Sequence, residues 1–219
     1  MILNFEALIP SLPFILGGVL ETVRIVLLAL LIGSLLGTLL SLLKISRVKP
    51  LALLATVYIS VFRGTPVIVQ LTILYFGLPQ LVGIDLGVNF SAILALGLNS
   101  AAYISEIVRA GIASVDKGQT EAAMALGIPY RQMMQHIILP QAFKNILPAL
   151  INEFTALTKE SAVVTVIGAT DIMRRSMMVG GQTFLYFESL IVAAVLYFIL
   201  VTFISLSGKL VERRLRVSD

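Results

Sequence analysis

Charged and amide side chains are scarce in this chain, and those that interrupt its apolar stretches recur at helical spacing. Glu153 and Glu160 stand seven positions apart, with Asp171 eleven further on. At roughly 100° per residue both separations return to within about 20° of one line, so the three acids share a face if a single helix carries them. Asn99, Tyr103 and Glu106 form a second stripe, with Ser100 beside it. Arg63 precedes Gly64-Thr65-Pro66, and Gln70 and Thr72 follow. Pro66 removes a backbone donor and loosens any helix that contains it. These groups can bind a solute without transforming it: the acids suit a cationic group, and Arg63 suits a carboxylate. A solute with both charge signs and hydrogen-bonding capacity, such as an amino acid, matches the set better than a simple ion or a lipid. The same residues also read as an internal salt-bridge network among Arg63, Lys159 and the glutamates that only holds helices together.

Covalent chemistry has no comparable signal. The chain has no cysteine, and His136 is its only histidine, so neither thiol chemistry nor a histidine-rich metal site is expected. No HExxH, GxGxxG or phosphate-binding GxxxxGK[ST] pattern occurs. No cofactor is expected on this chain, and any ATP hydrolysis must fall to another.

The elements that must position these residues are membrane helices. Of 219 residues, 58% are hydrophobic and only 13% charged, against about 25% charged in a soluble domain. Residues 25–43, 64–84, 86–105 and 189–208 carry almost no charge, and about twenty such residues suffice to cross a bilayer core as a helix. The opening MILNFEALIPSLP has no basic segment, so the first run reads as a spanning helix and not as a signal peptide. We expect an all-α membrane protein forming a single domain over 1–219, with five spans near 16–43, 52–78, 87–111, 149–170 and 185–208. The fourth is the most polar, interrupted by Glu153, Lys159 and Glu160. In the first, the small residues Ala29, Gly33, Gly37 and Ser41 recur every four positions, which lets a neighbouring backbone approach.

Basic residues orient the spans. Lys44, Arg47 and Lys49, then Arg109, Lys117, Arg131 and Lys144, then Lys209, Arg213, Arg214 and Arg216 fall on one side, and Arg174 and Arg175 on the other. The positive-inside rule places the N-terminus outside and the C-terminus in the cytoplasm. The net charge of +4 then serves orientation and contact with anionic headgroups of the bilayer, and no nucleic-acid partner is expected.

Between the third and fourth spans, residues 112–148 face the cytoplasm and include EAAMALGIPYRQMMQHIILP at 121–140. Glu121 to Leu126 favours helix, Gly127 stands where a C-cap would, Pro129 opens a second short helix, and Pro140 ends or kinks it. Ala122 and Ala123 give a low-profile surface. Ile128, Tyr130, Met133 and Met134 offer apolar contact, with Arg131 at the rim. Such a knob packs either on its own bundle or on a partner.

Glu121-Ala122-Ala123, Gly127, Ile137 and Leu139-Pro140 carry the spacing EAA-x3-G-x9-I-x-L-P, which resembles the signature of permease subunits of ABC importers. FRGTPVIVQL at 62–71, LNSAAYISEIVRAGI at 98–112 and LPQAFKNILPALINEF at 139–154 are similar to the polar amino acid uptake branch. The resemblance implies a bacterial inner-membrane, multi-pass subunit without a catalytic site. Its knob is a coupling helix seated on an ATP-hydrolysing subunit, with Glu121, Ala122, Ala123, Gly127, Ile128, Tyr130 and Arg131 at the contact. It also implies two permeases, identical by preference, two ATPase subunits that bind ATP and magnesium, and an extracytoplasmic solute-binding protein. The solute pathway is expected along Arg63, Thr65, Gln70, Asn99, Tyr103, Glu106, Glu153, Glu160 and Asp171. The extra acid at Glu160 favours arginine, lysine or histidine over glutamine or glutamate. A secondary transporter or a channel would need no coupling knob.

Overall fold

The structure, a computed structural model, describes residues 3–216, apart from the side chains of 215 and 216; the Arg216 side chain of the expected basic cluster lies outside the described residues. A 3₁₀ turn at Glu6–Ser11 leads into α1, Leu12–Ile45. At 1.5 Å per residue α1 is about 50 Å long, more than the roughly 30 Å of a bilayer core. Its expected small-residue stripe is buried: Ala29, Gly33, Gly37 and Ser41 all face inward. They meet α4, Gly87–Ala113, the most enclosed helix of the bundle. A Cβ on Gly37 would stand 2.8 Å from the Ala101 carbonyl oxygen and 2.9 Å from Cβ of Ile104. Only glycine permits that approach, and close packing is the main attraction available between helices in lipid.

Helices α2, Lys49–Gly64, and α3, Val67–Val82, meet at a 105° bend, where Thr65 and Pro66 adopt extended backbone. The chemistry of Pro66 explains the break, and a π turn at Ile73–Gly77 distorts α3 further. After α4 come two short helices, α5 at Lys117–Ala125 and α6 at Tyr130–Met133. A π turn at Met134–Ile138 then passes into α7, Leu139–Glu160. Pro140 lies where the π turn passes into α7, and the widened turn accommodates a residue that cannot donate.

The fourth expected element differs from the structure. The helix starts at 139 and not 149, and it ends at Glu160 instead of continuing to 170. Ser161 Oγ donates to the Thr158 carbonyl at 2.8 Å, the chain tightens into a 3₁₀ turn at Ser161–Ile167, and Gly168 reverses it with φ of 90°. An additional helix, α8 at Ile172–Thr183, follows before α9 at Tyr186–Arg216.

Every regular element among the described residues is helical. Among the described residues three stretches are long and apolar enough to cross a membrane, Glu6–Ile45, Gly87–Ala113 and Tyr186–Arg214, and the bent α2–α3 pair makes up to four. The main apolar core joins α1, α3, α4 and α7 around Ile25, Leu71, Leu96 and Leu157.

Candidate functional site

Three helices converge on a cleft of about 780 Å³. Arg63 enters it from the last turn of α2, Tyr103 and Glu106 from α4, and Lys144 and Glu153 from α7. The Arg63 guanidinium carbon lies 5.4 Å from the centre of the Tyr103 ring, a cation–π contact that fixes the arginine while leaving its donors directed elsewhere.

The two acids of the cleft differ in their electrostatics. Both carboxylate oxygens of Glu106 accept from cations: Lys44 Nζ, at the end of α1, donates at 2.6 Å, and Arg109 donates through Nη2 at 3.0 Å and Nε at 3.1 Å. Glu153 accepts from the Ser100 hydroxyl at 2.7 Å, its one hydrogen bond among the described residues. The negative charge of Glu106 is therefore compensated within the protein, and that of Glu153 is met only by a neutral donor. The cleft thus offers positive groups at Arg63 and Lys144 and, at Glu153, a negative group that is in no ion pair among the described residues. Among the described residues the ion pairs run from Lys44 and Arg109 to Glu106, with a longer one from Arg24 to Glu21 at 3.9 Å, and the network of Arg63 and Lys159 with the glutamates considered from sequence is not among them.

Three other expected residues close the α2–α3 break. Gln70 Nε2 donates to the Phe62 carbonyl at 2.9 Å, to the Thr65 carbonyl at 3.1 Å and to Thr65 Oγ1 at 2.9 Å. Asn99 Nδ2 donates to Gln70 Oε1 at 3.0 Å and to the Phe62 carbonyl at 3.3 Å. These side chains satisfy carbonyls that the interrupted helix leaves without partners, which hydrocarbon cannot do.

Glu160 is exposed at the end of α7, two turns beyond Glu153 and outside the cleft lining. Asp171 does not continue the acidic face, because the helix that would carry it has ended. It is fully buried as the N-cap of α8, accepting from the Arg174 backbone N–H at 2.8 Å and the Tyr197 hydroxyl at 2.9 Å. Lys144, Lys44 and Arg109 were read from sequence only as topological charges. The three-residue spacing of Glu106 and Arg109 was the one local signal of their pairing.

The knob is built as its glycine and proline suggested. Asp116 caps α5 by accepting from the Gly118 N–H at 2.6 Å. At its other end the Gly127 N–H donates to the Met124 carbonyl and the Ile128 N–H to the Ala123 carbonyl, each at 3.0 Å. This Schellman arrangement requires the positive φ of 70° at Gly127. Ala123 and Met133 are buried, and Ile128 and Met134 pack inward on them with Ile112 and Ile137. They form the knob's own small core, and Ile128 and Met134 stay half-exposed at its edge. Glu121, Ala122, Tyr130 and Arg131 are exposed, as are Met124 at 60% and Leu126 at 78%, two apolar residues that sequence reasoning had not placed on the outer face.

Residues 12–217 match the family described as the inner membrane component of binding-protein-dependent transport systems. The chain belongs to this family. Among relatives of this permease, the arginine transport system permease protein of Bacillus subtilis is 54% identical over 100% of both chains. A putative glutamine transport system permease protein of Rickettsia felis is 44% identical, covering 98% of this chain and all of the relative. The solved structure of an amino acid ABC transporter with histidines superposes with a TM-score of 0.93 at 43% identity, over 98% of this permease and 100% of that chain. The protein is a permease subunit of an amino acid ABC importer, a non-catalytic membrane component.

Proposed function

We propose that this permease imports cationic amino acids, such as arginine, lysine or histidine, with the cleft between α2, α4 and α7 as the solute site. One observation carries the reading: Arg63 and Glu153 share the cleft, and among the described residues Glu153 is ion-paired to no cation while Glu106 is paired to two. Arg63 takes the solute carboxylate and Glu153 its cationic side chain. Glu160, further along α7, serves as a second acid on the path. The 54% identity to an arginine permease supports this choice. The 44% identity to a glutamine permease supports a second reading, in which Glu153 accepts hydrogen bonds from a neutral amide.

As a permease of this family the chain works with ATPase and solute-binding partners. In the proposed assembly two identical permeases sit in a bacterial inner membrane, each with five spans, α7 being the fourth, the N-terminus outside and the C-terminus in the cytoplasm. Two ATP-binding subunits, which carry the ATP and magnesium, dock on the exposed residues of the two knobs. An extracytoplasmic protein delivers solute. ATP binding draws the ATPase subunits and the knobs together and turns the cleft outward, and hydrolysis resets it. The permease supplies two conformations, and the nucleotide supplies the differential free energy between them.

The test is purification in mild detergent from cells that co-express the partners, followed by uptake in liposomes with a panel of competing amino acids. Two ATP-binding chains per two permeases, with competition strongest for arginine and lysine, is the expected result. An ATPase-free form active in uptake would overturn the assembly, and competition by glutamine alone would overturn the solute.

A further inference from the structure

Outside the solute cleft, α1, α7 and α9 line a trough of about 430 Å³. Leu27 forms one wall, Phe154 the floor, and Leu200, Ile204, Ser207 and Val211 the other wall. The hydroxyl of Thr158, also in the lining, is turned back to the Phe154 carbonyl at 2.8 Å, so the walls present hydrocarbon. Within the lining, Gly208 of α9 lies directly against the Ile151 side chain of α7.

From Leu200 to Val211 the trough follows α9 for about 16 Å at 1.5 Å per residue, a narrow hydrocarbon-lined run that an extended acyl chain can follow.

The stripe Leu200, Ile204, Ser207, Val211 advances by four, three and four residues, and its next member three residues on is Arg214. Arg214 is exposed and stands where α9 leaves its apolar run, next to Arg213, with no described residue paired to it. Basic residues just beyond an apolar span attract anionic headgroups.

We propose that this trough is a binding site for one acidic phospholipid, with an acyl chain along α9 between α1 and α7 and the phosphate at Arg214. The lipid completes the apolar surface that the trough leaves open, and it ties α1 to α9 at the end carrying the basic cluster.

The chain has no cysteine, so Ser207→Cys introduces a single thiol into the trough wall. The full-length variant, purified with its partner subunits in mild detergent, is measured by native mass spectrometry after addition of dioleoyl-phosphatidylglycerol or dioleoyl-phosphatidylcholine. One phosphatidylglycerol per permease should remain bound. Converting the folded protein's thiol to its hexyl mixed disulfide with hexyl methanethiosulfonate, which releases methanesulfinate, should lower retention at least ten-fold. The same treatment of Leu31→Cys, on an exposed face of α1, should leave it unchanged. Arg214→Gln should remove the preference for phosphatidylglycerol over phosphatidylcholine while a chain is still held. Equal retention after thiol modification at both positions overturns the proposal, as does a disulfide-linked dimer forming through Ser207→Cys in bilayers, which would put a second copy in the trough.

Discussion

Glu153→Gln separates the charge of the candidate site from its shape. Glutamine has the size of glutamate and its carbonyl can still accept the Ser100 hydroxyl, held at 2.7 Å in the native chain, so packing and hydrogen bonding survive. What is lost is one negative charge that no described residue holds in an ion pair. Opposite unit charges about 4 Å apart attract by about 4 kcal/mol at an effective dielectric of about 20. The cleft is open to water, so about half of that, roughly 2 kcal/mol, is the working value. At about 1.4 kcal/mol per decade, arginine should bind roughly 30-fold more weakly. Glutamine, with no charge on its side chain, should change by less than about 3-fold, or under roughly 0.7 kcal/mol. Calorimetric titration of the purified transporter, without the solute-binding protein, measures both ligands directly and avoids that protein's own selectivity. Equal weakening of arginine and glutamine would refute the assignment of Glu153 to the cationic group. Unchanged binding of both would remove it from the site.

Other consequences follow from the geometry around the cleft. Gln70→Leu removes the donor shared by the Phe62 and Thr65 carbonyls and the acceptor for Asn99; it should cost about 1–3 kcal/mol and lower the melting temperature of the detergent-solubilised protein. Gly37→Val forces side-chain atoms against the Ala101 carbonyl and Ile104 and should cost about 1–3 kcal/mol, seen in the same melt as a lower midpoint with helicity retained after insertion. Gly127→Pro demands φ near −65° where the chain has 70°; the protein should still insert, but solute should no longer stimulate ATP hydrolysis in the reconstituted transporter.

The sequence revealed the local features well and the tertiary ones poorly. Uncharged runs marked α1, α4 and α9 because hydrocarbon tolerates little else, and Gly127 marked the knob's turn because a left-handed C-cap favours that residue. The limits of α7 were hidden because helical periodicity continues on paper past Glu160, while the actual end depends on a 3₁₀ turn and a reversal at Gly168. Asp171 was consequently placed on a face it does not share; its role as an N-cap bonded to Tyr197, 26 residues away, has no local signature. Periodicity also grouped Asn99 with Tyr103 and Glu106, yet Asn99 serves the break at Pro66 while the other two line the cleft. Lys44 and Glu106 lie 62 residues apart, and their pairing depends on the glycine-lined approach of α1 to α4.

That approach also bears on how a movement at the knob can reach the solute. The knob hangs between α4 and α7, the two helices that supply Tyr103, Glu106, Lys144 and Glu153. From Ile138, in the knob's core, to Glu153 is about 22 Å along helix at 1.5 Å per residue. A helix of that length transmits displacement with little loss, and Pro148, which lines the cleft, is the one point inside α7 where a backbone hydrogen bond is missing. On the other side, α4 is locked to α1 by backbone approach at Gly37 and by the Lys44–Glu106 pair at 2.6 Å, so the α4 wall of the cleft is held. In the proposed mechanism a shift of the knob therefore divides unequally: α7 moves, carrying Glu153, while α4 stays with α1. The distance between Glu153 and Arg63 then becomes the variable that the partner's nucleotide cycle controls, and a solute bridging the two charges holds the cleft in one setting.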